Sequence, residues 1–290
     1  MSLNIIVLAK QVPDTRNVGK DAMKADGTVN RAALPAIYNP EDLNALEQAL
    51  RIKAKFEGSK VHVLTMGPVR AAEIIRESMY RGADGGYLLS GREFAGSDTL
   101  ATSYALAAAI RKIGEVDLIL CGRQAIDGDT AQVGPQVAEK LGLPQITYAE
   151  EILHISKSEV TVKRRLEKGI ETVKGPLPIL ITVNGSAAGC RPRHAKLTLK
   201  YKNAKTVSER QTSSADYTEL FETRPYLDIP EWGACDIEHE PQWLGLTGSP
   251  TKVKQIESVV FTAKESKRLT PADDEIEDLI KELIVNHTIG

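Results

Sequence analysis

The chain has 290 residues, of which 42% are hydrophobic, and a formal net charge of −2. This length can bury a full core in one large domain with extensions. The nearly balanced charge gives no support to a nucleic acid or an anionic membrane as partner. The three cysteines, Cys121, Cys190 and Cys235, have no close pairing and no metal-ligand spacing, which is typical of a reducing cytosol.

No apolar run approaches the roughly 20 residues that a membrane span requires, and strand-like sequence starts at Asn4 without a basic leader. We therefore expect a cytoplasmic protein that does not insert into a membrane.

Strand-like apolar runs alternate with helical patterns in the first two thirds of the chain. The predicted strands are 4–9, 60–66, 86–89, 116–121 and 178–183, and the predicted helices are 43–54, 71–80, 100–113 and 130–141. This alternation predicts an α/β fold, namely a doubly wound, mostly parallel sheet with helices on both faces, of the Rossmann-like, nucleotide-binding type. A hairpin is predicted over 160–165 and 170–173, around Glu167-Lys168-Gly169.

The composition changes at about residue 200. Residues 202–255 begin as a polar stretch and continue with scattered aromatics and prolines, which predicts an extended arm and no second core. An acidic first turn at 273–275 then precedes an apolar stripe, which predicts a final amphipathic helix. We therefore divide the chain into an α/β domain over 1–200 and an arm with a C-terminal helix over 201–290.

Residues 124–136 join the strand that ends at Gly122 to the next helix. Asp129 or Thr130 is expected at the helix N-cap, and the free N–H groups of residues 130–133 suit a phosphate or pyrophosphate. Gly128 and Gly134 would remove side chains where a ligand approaches. The alternative is an ordinary capped turn between a strand and a helix.

The same stretch, Gln-Ala-Ile-Asp-Gly-Asp-Thr-Ala-Gln-Val-Gly-Pro-Gln, followed by Leu-Pro-Gln-Ile-Thr-Tyr-Ala at 143–149, resembles the beta subunit of electron transfer flavoproteins. The resemblance extends from the N-terminus to about residue 200. Housekeeping members tend to have Cys-Asn-Gln-Thr-Gly where this chain has Thr-Ala-Gln-Val-Gly at 130–134. In this respect the chain is similar to the flavin-based electron-bifurcating branch, whose beta subunit holds FAD where housekeeping members hold a structural AMP.

Further strand ends are candidates for the same pocket. Core packing explains the first strand end, and helix capping explains the segment Asn-Pro-Glu-Asp at 39–42. The resemblance instead places that segment in the nucleotide site. The set of predicted cofactor-binding residues is Leu8, Ala9, Asn39, Pro40, Asp42, Met66, Gly67, Arg123, Gln124, Ala125, Asp127, Asp129, Thr130, Ala131, Gln132, Val133 and Gly134.

Arg123 is a candidate contact for a flavin ring or a pyrophosphate, and the alternative is an exposed ion pair with Asp127 or Asp129. Two further segments have ordinary explanations beside a role in binding a second dinucleotide. The pair Gly85-Gly86 is typical of a turn before a strand, and Asp98 is expected to cap the alanine-rich helix.

A basic segment, Cys-Arg-Pro-Arg-His-Ala-Lys-Leu-Thr-Leu at 190–199, follows the last core strand. It resembles the recognition loop with which electron transfer flavoproteins insert a leucine into an acyl-CoA dehydrogenase. Leu197 matches the anchoring leucine, while His194 replaces the usual tyrosine and Thr198 the usual proline. Arg193 and Leu197 are therefore the predicted partner-binding residues, and a basic edge strand is the alternative.

No nucleophile, metal cluster or catalytic base stands out, and the five histidines are scattered, which disfavours a hydrolase. The resemblance implies an obligate alpha subunit that carries its own FAD and is contacted by the arm and helix over 201–290. It also implies NADH as electron donor, and acceptors of two kinds. These are ferredoxin or flavodoxin, and an acyl-CoA dehydrogenase-like enzyme reached through the alpha-subunit FAD. Two alternatives remain: a housekeeping beta subunit with structural AMP, and a stand-alone ATP-binding regulator that is monomeric and free of flavin.

Overall fold

The computed structural model describes residues 1–14, 34–252 and 268–285. The strands in this part of the chain are β1 (Asn4–Leu8), β2 (Gln11–Pro13), β3 (Ala36–Tyr38), β4 (Lys60–Met66), β5 (Gly85–Leu89), β6 (Leu118–Gly122), β7 (Gln145–Ile155), β8 (Glu159–Leu166), β9 (Gly169–Pro176), β10 (Ile179–Val183) and β11 (Glu231–Trp232). The helices are α1 (Pro40–Lys55), α2 (Ala72–Arg81), α3 (Thr99–Ile113), α4 (Val133–Leu141), α5 (Ala195–Tyr201), α6 (Val207–Gln211), α7 (Thr218–Thr223) and α8 (Asp273–Val285).

Within the described ranges, nine strands form one sheet in the order β11-β5-β4-β1-β6-β10-β7-β8-β9. All neighbours from β11 to β7 are parallel, whereas β7, β8 and β9 pair antiparallel. The predicted α/β fold, its five strands and the hairpin are therefore confirmed. Helix α1 packs on one face of the sheet, and α3 and α4 pack on the other, because each presents a buried apolar stripe to it.

Strand β7 is absent from the sequence prediction. Its buried residues Ile146, Ala149, Ile152 and Ile155 recur every three positions, which hides the period of two that marks a strand. The cause is an irregular ladder: the register shifts on both sides of the strand, and Tyr148 has a positive φ of 60°. Strand β7 is therefore recognised as a strand only from its pairing with β8 and β10.

The stretch after residue 200 packs more closely than an extended arm would. Tyr201, Phe221, Leu227 and Ile229 are buried in one cluster with α2, and β11 adds a parallel strand at the sheet edge beside β5. The boundary near residue 200 stays a prediction, although residues on both sides of it share this cluster. Helix α8 is formed as predicted, and its Ile276, Ile280 and Ile284 are exposed.

Candidate functional site

The candidate site lies at the carboxyl ends of β4, β1 and β6, which are neighbours in the sheet. After β1 the chain builds β4 and β5 on one side and returns with β6 on the other side. This reversal of strand order opens a crevice between the ends of β1 and β6, which is where ligands bind in open α/β sheets. The segments that border the crevice are Lys10 after β1, the start of α1, and residues 123–132, hereafter the nucleotide loop.

The nucleotide loop extends further than the sequence predicts. Helix α4 begins at Val133 and its N-cap is Gln132, so the expected cap at Asp129 or Thr130 is wrong. The reason is local backbone geometry, because Asp129 and Ala131 have positive φ angles of 51° and 52°. A right-handed helix cannot include such residues, and it therefore starts after the second one.

This geometry leaves backbone donors at the rim of the crevice. Within the described chain, the N–H groups of Thr130, Ala131 and Val133 donate no hydrogen bond to another residue. The positive end of the α4 dipole lies behind them. Beside Gly128 the space is open, because a Cβ atom added there would have no non-adjacent atom of the described chain within 4 Å. Such a donor set fits a phosphate or pyrophosphate.

Gly134 has a role in the packing of α4. A Cβ atom added there would lie 2.8 Å from Cys121 Sγ and 2.8 Å from Thr182 Cγ2, both on strands under the helix. The glycine allows α4 to pack closely on β6 and β10, and it is buried. The packing role was not predicted from the sequence, and the expected role of Gly134 in leaving room for a ligand stays a prediction.

The start of α1 supplies three polar side chains, hereafter the α1 clamp: Asn39, Glu41 and Asp42. Asn39 occupies the N-cap and Pro40 the first turn, as predicted, but the Asn39 side chain makes no cap hydrogen bond. Its amide donates to the Gln124 carbonyl at 2.9 Å, and its oxygen accepts the Ile126 N–H at 3.2 Å. The capping explanation of this segment is therefore wrong for the side chains.

The two carboxylates of the clamp bind further backbone groups. Glu41 Oε2 accepts the Gln124 N–H at 3.0 Å. Asp42 accepts the N–H of Gly122 at 2.9 Å through one oxygen and that of Lys10 at 2.8 Å through the other. Burial raises the pKa of Asp42 to about 7, although these two N–H groups favour the carboxylate. Side chains of the α1 clamp thus hold the nucleotide loop in place through its backbone. The sequence did not predict this role for Glu41.

Charged residues at the crevice pair in an unexpected way. Arg123 contacts Glu41 at 3.2 Å and lies over the Tyr148 ring at 5.7 Å, so the alternative of an exposed ion pair with Asp127 or Asp129 is wrong. Its Nε is buried and has no acceptor in the described chain. Asp127 instead pairs with Lys10 at 2.7 Å, a lysine that sequence reasoning missed. The signal for Lys10 was its place directly after the first strand.

The remaining predicted site residues divide into loop and core. Gln124 donates to Asp129 Oδ1 at 2.8 Å, and Gln132 accepts a hydrogen bond from Thr99 at the start of α3. The Ala125 carbonyl accepts the N–H groups of Gly128 and Asp129, which folds the loop into a turn. By contrast, Leu8 and Ala9 are buried, Met66 is half-buried, and Gly67 donates to the Leu89 carbonyl.

The two segments considered for a second dinucleotide have structural roles. A Cβ atom at Gly86 would lie 2.5 Å from the Val63 carbonyl oxygen, so this glycine permits close packing within the sheet and against α2. Asp98 caps α3 as predicted, since its side chain accepts the N–H groups of Leu100 and Ala101.

The basic segment 190–199 ends in helix α5, so the edge-strand alternative is wrong. Arg191 anchors the segment through Glu47, whose carboxylate accepts both its N–H and its guanidinium. Leu197 is half-buried against the cluster on α2, and the exposed leucine of the segment is Leu199, with 68% of its surface accessible. Arg193 is exposed and contacts Glu77 at 3.3 Å.

Comparison with known proteins identifies the family. The family model of the electron transfer flavoprotein domain matches residues 26–211. This chain belongs to the electron transfer flavoprotein family.

Full-length relatives agree with this family. The chain is 39% identical to the electron transfer flavoprotein subunit beta of Megasphaera elsdenii over 98% of its own length and 100% of that protein. It is 42% identical to the acryloyl-CoA reductase electron transfer subunit gamma of Anaerotignum propionicum over 99% of its own length and 100% of that protein. Its identity to the caffeyl-CoA reductase-Etf complex subunit CarD of Acetobacterium woodii is 43%, over 87% of this chain and 86% of that protein. The resemblance to electron transfer flavoprotein beta subunits is confirmed.

The described helices of this electron transfer flavoprotein subunit include none that is both long and apolar enough to cross a bilayer.

Proposed function

We propose that this protein is a cytoplasmic, FAD-binding beta subunit of an electron-bifurcating electron transfer flavoprotein. FAD would bind in the crevice between β1 and β6, and an alpha subunit would carry a second flavin. NADH would be the electron donor, with ferredoxin or flavodoxin as one acceptor and an acyl-CoA dehydrogenase-like enzyme, reached through the alpha-subunit FAD, as the other. The protein would oxidise NADH only as part of the alpha-beta complex.

The observation that supports the binding step best is the set of free N–H groups at Thr130, Ala131 and Val133, at the start of α4. Free N–H groups at the start of a helix are suited to bind phosphate oxygens. The Arg123 guanidinium, which is paired with Glu41 and whose side chain is 29% exposed, adds a cation that can face a flavin ring or the pyrophosphate. When bound, a flavin would accept a hydride from NADH and release single electrons, and a nearby cation would favour its anionic reduced form.

The choice of partner rests on two relatives. The names of the Anaerotignum and Acetobacterium proteins tie them to acryloyl-CoA and caffeyl-CoA reductases. An acyl-CoA dehydrogenase-like partner is therefore the class that we infer for this chain. The segment 190–199, with Arg193, Leu197 and the exposed Leu199, is the surface that we propose for docking this partner.

The deciding experiment is the nucleotide content of the purified alpha-beta complex, combined with an NADH oxidation assay. We expect two FAD molecules per complex and NADH-dependent reduction of both flavins. One FAD with one AMP and no NADH oxidation would favour the housekeeping alternative. A stable flavin-free monomer that binds ATP would support the regulator alternative and contradict the proposal.

A further inference from the structure

One carboxylate bridges the two walls of the crevice. Asp42 accepts the Lys10 N–H, just beyond the end of β1, and the Gly122 N–H, at the end of β6. These strands are paired in register as far as Leu8 and Cys121. Beyond that point β1 and β6 are no longer paired with each other, and the amides of Lys10 and Gly122 both bond to Asp42. The carboxylate therefore fixes the spacing of the crevice at its base.

The chain at this point is shaped for the contact. A Cβ atom at Gly122 would lie 2.5 Å from Asp42 Oδ1 and 2.8 Å from the Asp42 nitrogen, so only glycine admits α1 so closely. Asn39 and Glu41 hold the next residues of the nucleotide loop through Gln124 and Ile126. A shift of the Asp42 contact would therefore be passed directly to the loop.

The surroundings of Asp42 leave its negative charge poorly compensated. The residue is almost completely buried, with 6% of its surface accessible, and Lys10, whose charge favours the carboxylate, directs its ammonium to Asp127. The other titratable groups that face it are Cys121 on β6, Tyr38 on β3 and its neighbour Glu41, which is paired with Arg123. None of these neutralises the carboxylate, and burial raises the pKa of Asp42 to about 7.

We propose that Asp42 is a positioning residue of the nucleotide site, whose carboxylate holds the nucleotide loop in its binding geometry and whose protonation loosens the bound nucleotide. This inference rests on the proposed nucleotide-binding function. A protonated carboxyl group carries an O–H donor on one oxygen, and that oxygen then faces an N–H group that it cannot accept well. Either Lys10 or Gly122 loses its acceptor, and the phosphate donors of the loop lose their fixed position.

The test uses the alpha-beta complex stripped of its beta-site nucleotide, with FAD and AMP as separate probes. Wild-type affinity is expected to fall about tenfold from about pH 8 to about pH 6, because a group titrating near 7 goes from nine tenths to one tenth ionised. Asp42→Asn keeps the shape but turns one acceptor into a donor, so this variant should bind more weakly and with no corresponding change between the two pH values. The ratio of wild-type to variant affinity at each pH corrects for any change in affinity that comes from titration of the probe itself.

Asp117→Asn is the matched control. Asp117 accepts the Asn4 N–H at 2.7 Å at the amino ends of β1 and β6, whereas the crevice lies at their carboxyl ends. Its replacement therefore perturbs the same two strands without reaching the crevice. This variant should bind both probes like the wild type at each pH. An Asp42→Asn complex with wild-type affinity and wild-type pH dependence would overturn the proposal.

Hydrogen exchange provides a readout that needs no nucleotide and no variant. After correction for the intrinsic rate, the amides of Lys10 and Gly122 in the wild-type complex should lose protection at about pH 6 relative to about pH 8. Unchanged protection would refute the role of Asp42 in holding the crevice. A wild-type complex that bound neither FAD nor AMP at any pH would instead refute the proposed function, so the two failures are distinguishable.

Discussion

At the scale of single residues, the site depends on backbone groups that side chains hold in place. Asn39 and Asp42 are buried and their side chains bond to neighbouring backbone, so any contact that they make to a nucleotide would come from the main chain. The exposed rim of the nucleotide loop consists of Gly128, Asp129, Thr130 and Gln132. Substitutions at the rim therefore test binding, whereas substitutions beneath it also test the fold. Gly134→Asp belongs to the second kind, because it would force a charge against Cys121.

Thr130→Asp places a negative charge beside the free N–H groups at the start of α4. We expect it to weaken retention of the beta-site nucleotide by roughly five- to tenfold, because the charge competes with the phosphates for the same donors. Thr130→Asn has a similar size and no charge, and should retain the nucleotide. FAD and AMP per complex are measured after gel filtration, with the alpha-subunit flavin as internal control. Equal losses in both variants would argue against phosphate binding at this helix.

At the scale of elements, the start of α3 joins the end of the arm to the nucleotide loop. Asp98 accepts the N–H groups of Leu100 and Ala101 in the helix and that of Thr251 in the arm. Thr99 donates to Gln132 at 2.9 Å. Burial raises the pKa of Asp98, but the three amides outweigh burial and leave that pKa below its ordinary value. The ionised form of Asp98 is therefore the one that stabilises the fold.

Asp98→Ala is expected to lower the free energy of unfolding by about 1–2 kcal/mol at neutral pH, the usual cost of a lost N-cap. Asp98→Asn keeps one acceptor oxygen and should lose less. The sign of the pH dependence follows from the lowered pKa. The stabilisation is complete above the ordinary aspartate value of 3.8 and is lost as the pH falls through the lower folded-state value. Urea unfolding of the complex across this range measures the difference, and a difference between wild type and Asp98→Ala that does not shrink in acid would contradict the assignment.

At the scale of the whole molecule, the segment 190–199 is fastened to the domain and presents one leucine to solvent. Its start is bonded to Glu47, and the His194 N–H donates to the Tyr80 carbonyl at 2.8 Å. Leu197 packs inward while Leu199 is exposed. Leu197, the anchor predicted from the resemblance, thus packs on the protein's own core. The more exposed Leu199 is therefore the better candidate for docking.

Leu199→Ala is expected to slow electron delivery to the acyl-CoA dehydrogenase-like partner by about tenfold at limiting concentrations, because an apolar anchor in a partner pocket contributes about 1.4 kcal/mol or more. The unfolding temperature and the flavin content should not change. Leu197→Ala, in contrast, should lower the unfolding temperature, since it removes a packing contact on the α2 cluster. If Leu199→Ala delivered electrons at the wild-type rate and Leu197→Ala did not, the anchor would be Leu197.

Local sequence determined the regular part of this protein. The strands β1, β4, β5, β6 and β10, the helices α1 to α4 and the β8–β9 hairpin are visible because their apolar spacing and their Gly, Pro and Asp boundaries are properties of short segments. The motif at 124–136 likewise marks the loop between β6 and α4, since a strand followed by a helix start is a local pattern.

Tertiary structure decided the features that depend on distant partners. Strand β7 is held by β8 and β10, and β11 needs β5 to become a strand at all. The α1 clamp resembles a helix cap in the sequence, yet its side chains bond to residues more than 30 positions away because the helix start lies against the ends of β1 and β6. Which leucine of the segment 190–199 faces solvent depends on the apolar cluster against which α5 packs. Local spacing determines which segments form, but side-chain partners are chosen only when the sheet brings those segments together.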